Sequence, residues 1–447
     1  MILKKGLKPI LALIISLLSV MSTYDYILAE TITTDTNNKY INISIVSEFP
    51  DSIKFHMSSE KPIPYNTLTL KYKILGTKAT QTENLQIDQN KSVDKTITIQ
   101  TSTSKSYIPP GAEIEYWYEL STKEKNIYSS VRSTYILTDP SYEWQLIENP
   151  NGYIYFHDFD NASAKLILEN ATNTYLSISQ LLGLKSDKPL RITVYNNWKE
   201  LKAILPPRSE VQEESLITEG MSFGDTGVIV LLGNRDAIIG ITMHETVHFT
   251  LRNAMGDVSW SIPDWLNEGL AEYANTESDG KYNYIISKAI NDNSLFPITS
   301  LTKFPGKPDD VILAYGQSKS IVTFLINSYG DNAFQKLIDY LRQGNHIDSA
   351  LVDAYGFNRT EIDNKWRESI GATKIDALNT SSLPTAIPQN IPLPSNAATF
   401  SKNIETEKPQ EKSCVFRNSN SNEISLSGGM LFLLLFHSFK KKILWKK

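Results

Sequence analysis

Between about residues 38 and 140 the apolar side chains recur at every second position, and near residue 141 that period ends. A period of two sorts side chains onto the two faces of a strand, whereas a period near 3.6 gathers them into one stripe of a helix. The chain must therefore build a β layer first and something different after it. In "TLTLKYKI" (67–74), Leu68, Leu70, Tyr72 and Ile74 share a face; in "EIEYWYEL" (113–120), Ile114, Tyr116, Tyr118 and Leu120 do so. "INISIV", "KTITIQ" and "STYIL" read as further strands, and "YIPPG" (107–111) punctuates two of them. Several short strands separated by turns predict an antiparallel, Ig-like β-sandwich over residues 30–140. His56 falls inside it and reads as a strand or surface residue.

Beyond residue 141 strands and helices alternate. "GYIYFH", "LRITVYN" and "TGVIVLLG" (226–233) read as strands. Residues 161–182 form a helical pattern with Leu166, Leu168, Tyr175, Ile178 and Leu181 as its apolar positions, and "NWKELKAIL" is a shorter one. This predicts an α/β lobe over 141–256. "LAYGQSKSIVTFLINSYG" (313–330), "DNAFQKLIDYLRQG" and "RTEIDNKWRESIGA" then predict an all-helical lobe over 257–372. The fold class expected is α+β, multidomain. Residues 373–427 are rich in Pro, Ser, Thr and Asn, as in "SSLPTAIPQNIPLPSNAAT", and read as a disordered linker.

Both ends carry targeting signals. Lys4, Lys5 and Lys8 precede a short apolar run (9–21), and Ala29 is a small residue before a cleavage point. That is the layout of a secretory signal peptide over residues 1–29; an uncleaved anchor is the alternative, and either places the body outside the cytoplasm. Residues 428–439 are mostly apolar and a lysine cluster follows. Twelve helical residues reach only about 18 Å, short of a roughly 30 Å hydrocarbon core. Residues 428–447 resemble the C-terminal sorting tails of some bacterial surface proteins, and membrane contact through this tail is expected. The 44 Lys+Arg and 49 Asp+Glu leave a formal net charge of -5. With no basic excess, nucleic acid is not an expected partner.

Chemistry concentrates in "GITMHETVHFT" (240–250). On a helix His244 and His248 project from one face, one turn apart. Two imidazoles so placed can bind one zinc ion, and Glu245 projects beside that face, where a carboxylate can take the proton of a water that the metal acidifies. The one cysteine, Cys414, excludes cysteine-rich zinc sites, intrachain disulfides and a cysteine switch upstream of this helix. A metal site must draw on six histidines and on carboxylates. A catalytic zinc usually has three protein ligands, so a carboxylate is expected as the third. "SIPDWLNEGLAEYANTE" supplies Glu268, 20 residues after His248, on a helix started by Pro263-Asp264. Glu272 lies one turn further on the same face, where it could accept a hydrogen bond from a free ring N–H of His244 or His248. An exposed acidic helix face is the competing reading of Glu268 and Glu272 taken by themselves.

The pair "HETVH…WLNEGLAEY", with the later "AYGQSKSIVTFLINSYG", resembles the gluzincin metallopeptidases, and most closely the bacterial peptidase MA-like group, over about residues 152–372. "YIPPGAEIEYWYEL" also resembles part of the domain that often precedes it in surface members. The resemblance implies a zincin-like catalytic domain. It implies that His244, His248 and Glu268 bind Zn2+, that Glu245 is the general base and that Glu272 supports a liganding histidine. It also implies a Tyr or His that hydrogen-bonds the oxyanion. His346 sits in a polar connection between helices, so Tyr315, 47 residues after Glu268, is the candidate. Asn267 is read as shaping the ligand helix rather than touching substrate. The function expected is a secreted or surface-anchored zinc metallopeptidase acting on a peptide or protein substrate. The alternative is a surface binding or adhesion protein in which the sandwich carries function and the zincin-like lobe is structural. A self-processing or other amide hydrolase would differ only in substrate.

Overall fold

The computed structural model describes residues 33–35, 39–103, 107–185, 188–206, 219–234, 236–304 and 308–375. The expected leader, the expected tail and the linker beyond residue 375 lie outside them. Among the described residues no helix is long and apolar enough to cross a membrane.

Two antiparallel sheets form the N-terminal part. One runs in the order β1 (Thr33–Asp35), β2 (Asn42–Glu48), β3 (Ser52–Ser58), β6 (Asp94–Gln100). The other runs β5 (Gln81–Gln86), β4 (Thr67–Ile74), β7 (Glu113–Ser121), β8 (Ile127–Ser129), with β9 (Ser133–Ile136) also on β7. The alternation in the sequence sets the register directly: Leu68 pairs with Leu120, Leu70 with Tyr118, Tyr72 with Tyr116 and Ile74 with Ile114. Like faces are thus matched across the strands, and a slip of one residue would turn every one of these side chains to water. Ile43, Ile45, Phe55, Leu68, Leu70 and Tyr118 from both sheets are buried in one core. His56 lies on β3 with a half-exposed side chain near Thr96 and Asp94.

A five-stranded sheet follows, in the order β10 (Gln145–Asn149), β11 (Gly152–Phe156), β12 (Leu190–Tyr195), β14 (Val228–Leu232), β13 (Gly220–Phe223). The three central strands are parallel; β10 and β13 are antiparallel edges. All six residues of β12 and all five of β14 are buried, as expected of a parallel sheet covered on both faces. On one face lie α1 (Asn161–Leu181) and α3 (Ile238–Met255), sharing a core with Ile154, Ile192, Ile229 and Leu231. On the other, Tyr195, Val228, Val230 and Leu232 join α2 (Trp198–Ile204) and the N-terminal sheets in a single cluster. The hydrophobic core is therefore continuous across residue 140. Polar links reinforce it: Arg191 Nη2 pairs with Glu113 Oε2 at 3.0 Å and Thr193 Oγ1 donates to Pro110 O at 3.0 Å. The "YIPPG" turn is what docks here. Gly111 has φ +90 and a Cβ on it would lie 2.3 Å from Thr193 Oγ1, so the turn needs a residue without one.

The C-terminal part is helical: α4 (Asp264–Ala274), α5 (Asp279–Asn291), α6 (Pro308–Tyr329), α7 (Asp331–Arg342), α8 (Ile347–Tyr355) and α9 (Arg359–Ser369). Trp265, Leu266, Leu270, Leu325, Phe334 and Trp366 are buried in its core; burying each leucine is worth about 1.5–3 kcal/mol relative to leaving it exposed. Of the strands and helices, β1, β3, β5, β8, β10, β13, α5 and α8 match no run singled out in the sequence, although His56 on β3 was read as a strand or surface residue. His346, expected in a polar connection, accepts from Asp348 N at 3.3 Å and caps α8.

Candidate active site

The site lies where α3, under the five-stranded sheet, meets α4. Fourteen of the 18 residues of α3 are buried. Three threonines within it would each bury a hydroxyl, and each satisfies it locally: Thr242, Thr246 and Thr250 donate to the carbonyls of Ile238, Thr242 and Thr246, all at 2.7 Å. Gly256 (φ +53) ends the helix. At its start Glu277 Oε2 accepts from Gly240 N at 3.1 Å, which offsets one of the unpaired N–H groups there. Helix α4 begins after Pro263 and buries nine successive residues, 264–272, between α3 and α6. A Cβ on Gly269 would lie 2.6 Å from Ser318 O, so the residue after Glu268 is a point of closest approach between α4 and α6.

These two helices bring His244, His248 and Glu268 together. Nε2 of His244 and Nε2 of His248 are 3.0 Å apart, and Glu268 Oε2 lies 3.4 and 3.5 Å from them. They are the one group of three or more His, Cys, Asp or Glu among the described residues that could hold a metal ion. The other ring nitrogens are already committed. His244 Nδ1 faces Glu272 Oε1 at 3.0 Å, and His248 Nδ1 faces Asn267 Oδ1 at 3.1 Å. Both partners accept, so both Nδ1 atoms donate. Neutral imidazoles so oriented turn two Nε2 lone pairs toward each other and toward a carboxylate. Glu268 Oε2 is buried without a hydrogen-bond partner. Three converging electron pairs with no donor between them are costly unless a cation is shared. Tetrahedral ligands at about 2.0–2.1 Å from zinc lie roughly 3.3 Å apart, close to the spacings here. The donor set therefore fits Zn2+.

The protonation tendencies agree. Burial pushes His244 toward its neutral form, but the neighbouring Glu268 and Glu272 carboxylates outweigh it and raise its proton affinity well above the usual histidine value. Burial would raise Glu268, but the imidazoles of His248 and His244 bring it down to about 2. The pocket thus demands positive charge, and a proton on His244 competes with a metal for it. Zinc affinity is accordingly expected to fall as pH is lowered from about 8 to about 6, with protons released on binding. Chelator-competition titrations across that range check this, and an affinity flat with pH would contradict it.

Glu245 is buried beside the cluster, outside the three ligand atoms. Strand β13 runs directly over it: a Cβ on Gly220 would lie 2.9 Å from Glu245 Cγ. Tyr315, on α6, is buried with its ring centroid 6.4 Å from that of His244 and Phe304 set edge-on at 4.8 Å. Burial first, then the Glu268 carboxylate, raise the phenol well above its usual range, so it keeps its proton. Its hydroxyl has no hydrogen-bond partner. Asn267 does more than shape its helix: Nδ2 donates to Glu268 Oε1 at 3.2 Å while Oδ1 holds His248. The sequence signal for it was a polar side chain beside Glu268 in an otherwise apolar run. Asn275, whose Nδ2 donates to Glu272 Oε2 at 3.2 Å, had no such signal. His56, His157 and His346 take no part in the cluster.

Residues 170–372 match the Peptidase MA superfamily. The matched span contains every residue of the cluster, Glu245, Glu272 and Tyr315, and the match supports a peptidase. No curated protein matches the chain. Among solved structures, an M1 zinc metallopeptidase from Deinococcus radiodurans is similar at 12% identity and TM-score 0.31, over 79% of this chain and 93% of that one. A two-domain M1 zinc metallopeptidase variant bound to L-arginine is similar at 11% identity and TM-score 0.33, over 76% and 92%. Scores at this level describe a loose likeness of shape, and the chemistry rests on the side chains above.

Proposed function

We propose that this chain is a zinc metallopeptidase acting outside the cytoplasm on peptide or protein substrates. One observation carries the reading: the buried Nε2 atoms of His244 and His248 and Oε2 of Glu268 converge within hydrogen-bonding distance while both Nδ1 atoms are engaged elsewhere. In this reading His244, His248 and Glu268 hold the metal. When bound, zinc acts as a Lewis acid that acidifies water and polarises a carbonyl oxygen. Glu245 accepts the proton of the attacking water on its carboxylate and passes it to the departing amide nitrogen. Tyr315, kept protonated by burial, donates its hydroxyl to the oxygen that gains charge. Glu272 and Asn267 hold the two imidazoles by Nδ1, which fixes the ring orientations and leaves each Nε2 as the donor atom. The N-terminal sheets serve as an Ig-like sandwich fused to a zincin-like domain. The leader-like residues 1–29 and the basic-ended residues 428–447 support export and retention at the surface.

The purified chain should cleave members of a peptide library, lose that activity in a zinc chelator and regain it when zinc is restored. Cleavage that persists through chelation would exclude metal-dependent hydrolysis.

A further inference from the structure

Glu272 orients His244 through one carboxylate oxygen, and its other oxygen is held from the turn that follows α4. Oε1 faces His244 Nδ1 at 3.0 Å, while Oε2 accepts from Asn275 Nδ2 at 3.2 Å. Asn275 is buried, and its backbone is fixed independently of that bond. It ends α4, with its N–H bonded to Ala271 O at 3.2 Å. Its carbonyl takes two donors, Lys319 Nζ on α6 at 2.7 Å and Ser278 Oγ at 2.9 Å. Lys319 Nζ also donates to Ser278 Oγ at 3.1 Å, which closes a triangle around that carbonyl. The side chain is seated as closely. A Cβ on Gly240 would lie 2.6 Å from Asn275 Oδ1 and 3.3 Å from its Cγ, so the amide rests against the first turn of α3. Gly240 stands about one helical turn before His244, and Glu277, two residues after Asn275, accepts from Gly240 N at 3.1 Å. The turn 275–278 therefore grips α3 just ahead of the ligand and sets an amide N–H on the carboxylate that orients it.

The amide has one usable orientation. Turned over, Oδ1 would face Glu272 Oε2, acceptor against acceptor. As it stands, Oδ1 is buried without a hydrogen-bond partner, a cost that an apolar side chain of similar shape would avoid. We propose that Asn275 is a positioning residue of the metal centre: its Nδ2 fixes the second oxygen of Glu272, and through Glu272 the orientation of His244. A carboxylate held at both oxygens keeps one plane. With the hold on Oε2 gone it rotates more freely, and the His244 Nδ1 bond loosens with it. An Asn that merely filled space would be replaced by Leu without consequence for the metal, because the side chain would still cover Gly240.

The inference rests on the zinc reading above, and the test separates the two. Zinc affinity is measured at one fixed pH by chelator competition on the full chain and on its Asn275→Leu, Glu272→Ala and doubly substituted forms, with thermal unfolding of each metal-free form alongside. Leu keeps the branch at Cγ but carries no N–H. Asn275→Leu is expected to weaken zinc binding about 3–10-fold, less than the roughly 10–100-fold typical of a ligand's direct hydrogen-bond partner, with unfolding of the metal-free form unchanged. In the Glu272→Ala background the same substitution is expected to add nothing. Asn275→Ala, which cannot overpack against Gly240, should give the same two results. Wild type that binds no zinc overturns the zinc reading itself. Wild type that binds zinc with either Asn275 variant equal to it, or with its effect additive to that of Glu272→Ala, overturns the positioning role alone.

Discussion

Glu245→Gln is expected to leave zinc in place and to reduce peptide hydrolysis by about 10²–10⁴-fold, the range that positioned general acid–base groups supply. The substitution keeps shape and volume next to Gly220, where the Glu245 side chain is already tightly accommodated, so the fold has no reason to change. The amide of Gln cannot take up the proton of the attacking water. Glu245 contributes none of the three converging ligand atoms, which is why metal content should survive. The loss should appear in kcat more than in KM, since proton transfer is needed in the transition state rather than for binding. Steady-state kinetics and metal content on the same preparation check this. Retained activity would mean that the base is elsewhere; lost zinc would make Glu245 a ligand.

Glu268→Ala carries the second large effect. It removes the one anionic ligand and leaves two imidazoles whose Nε2 atoms stand 3.0 Å apart. Zinc affinity should fall by more than the roughly 10–100-fold seen when only a partner of a ligand is lost, and peptide hydrolysis should fall with it. Asn267 would also lose its acceptor at Glu268 Oε1 while keeping its bond to His248, so the damage should fall on the metal centre more than on α4 itself. Equal zinc affinity in the variant and wild type would remove Glu268 from the ligand set.

The parts of this structure that the sequence announces are those governed by local periodicity. The faces of β4 and β7 pair residue for residue because a slip of one residue would turn Leu68, Leu70, Tyr116 and Tyr118 out of the core. His244 and His248 fall on one helix face for the equally local reason of spacing, and Glu268 and Glu272 repeat the logic one helix later. Strand β13 escapes because four residues, "GMSF", carry no readable alternation. Helix α5 escapes because "DGKYNYIISKAIN" mixes Lys, Asn and Tyr through its apolar positions. Asn267 reaches His248 across the approach of α4 to α3, a contact that its place beside Glu268 hints at but that no local period encodes. The core that runs from Phe55 and Tyr118 to Val230 and Leu232 is likewise tertiary: the break in period at residue 141 marks a change of layer but not an interruption of packing.

The most direct test of the zinc centre is the metal content of the purified wild-type chain after saturation with zinc and removal of the unbound ion. About one zinc per chain, lost on Glu268→Ala and kept on Glu245→Gln, is the result expected of a site with three protein ligands. A wild-type chain that retains no zinc would contradict it.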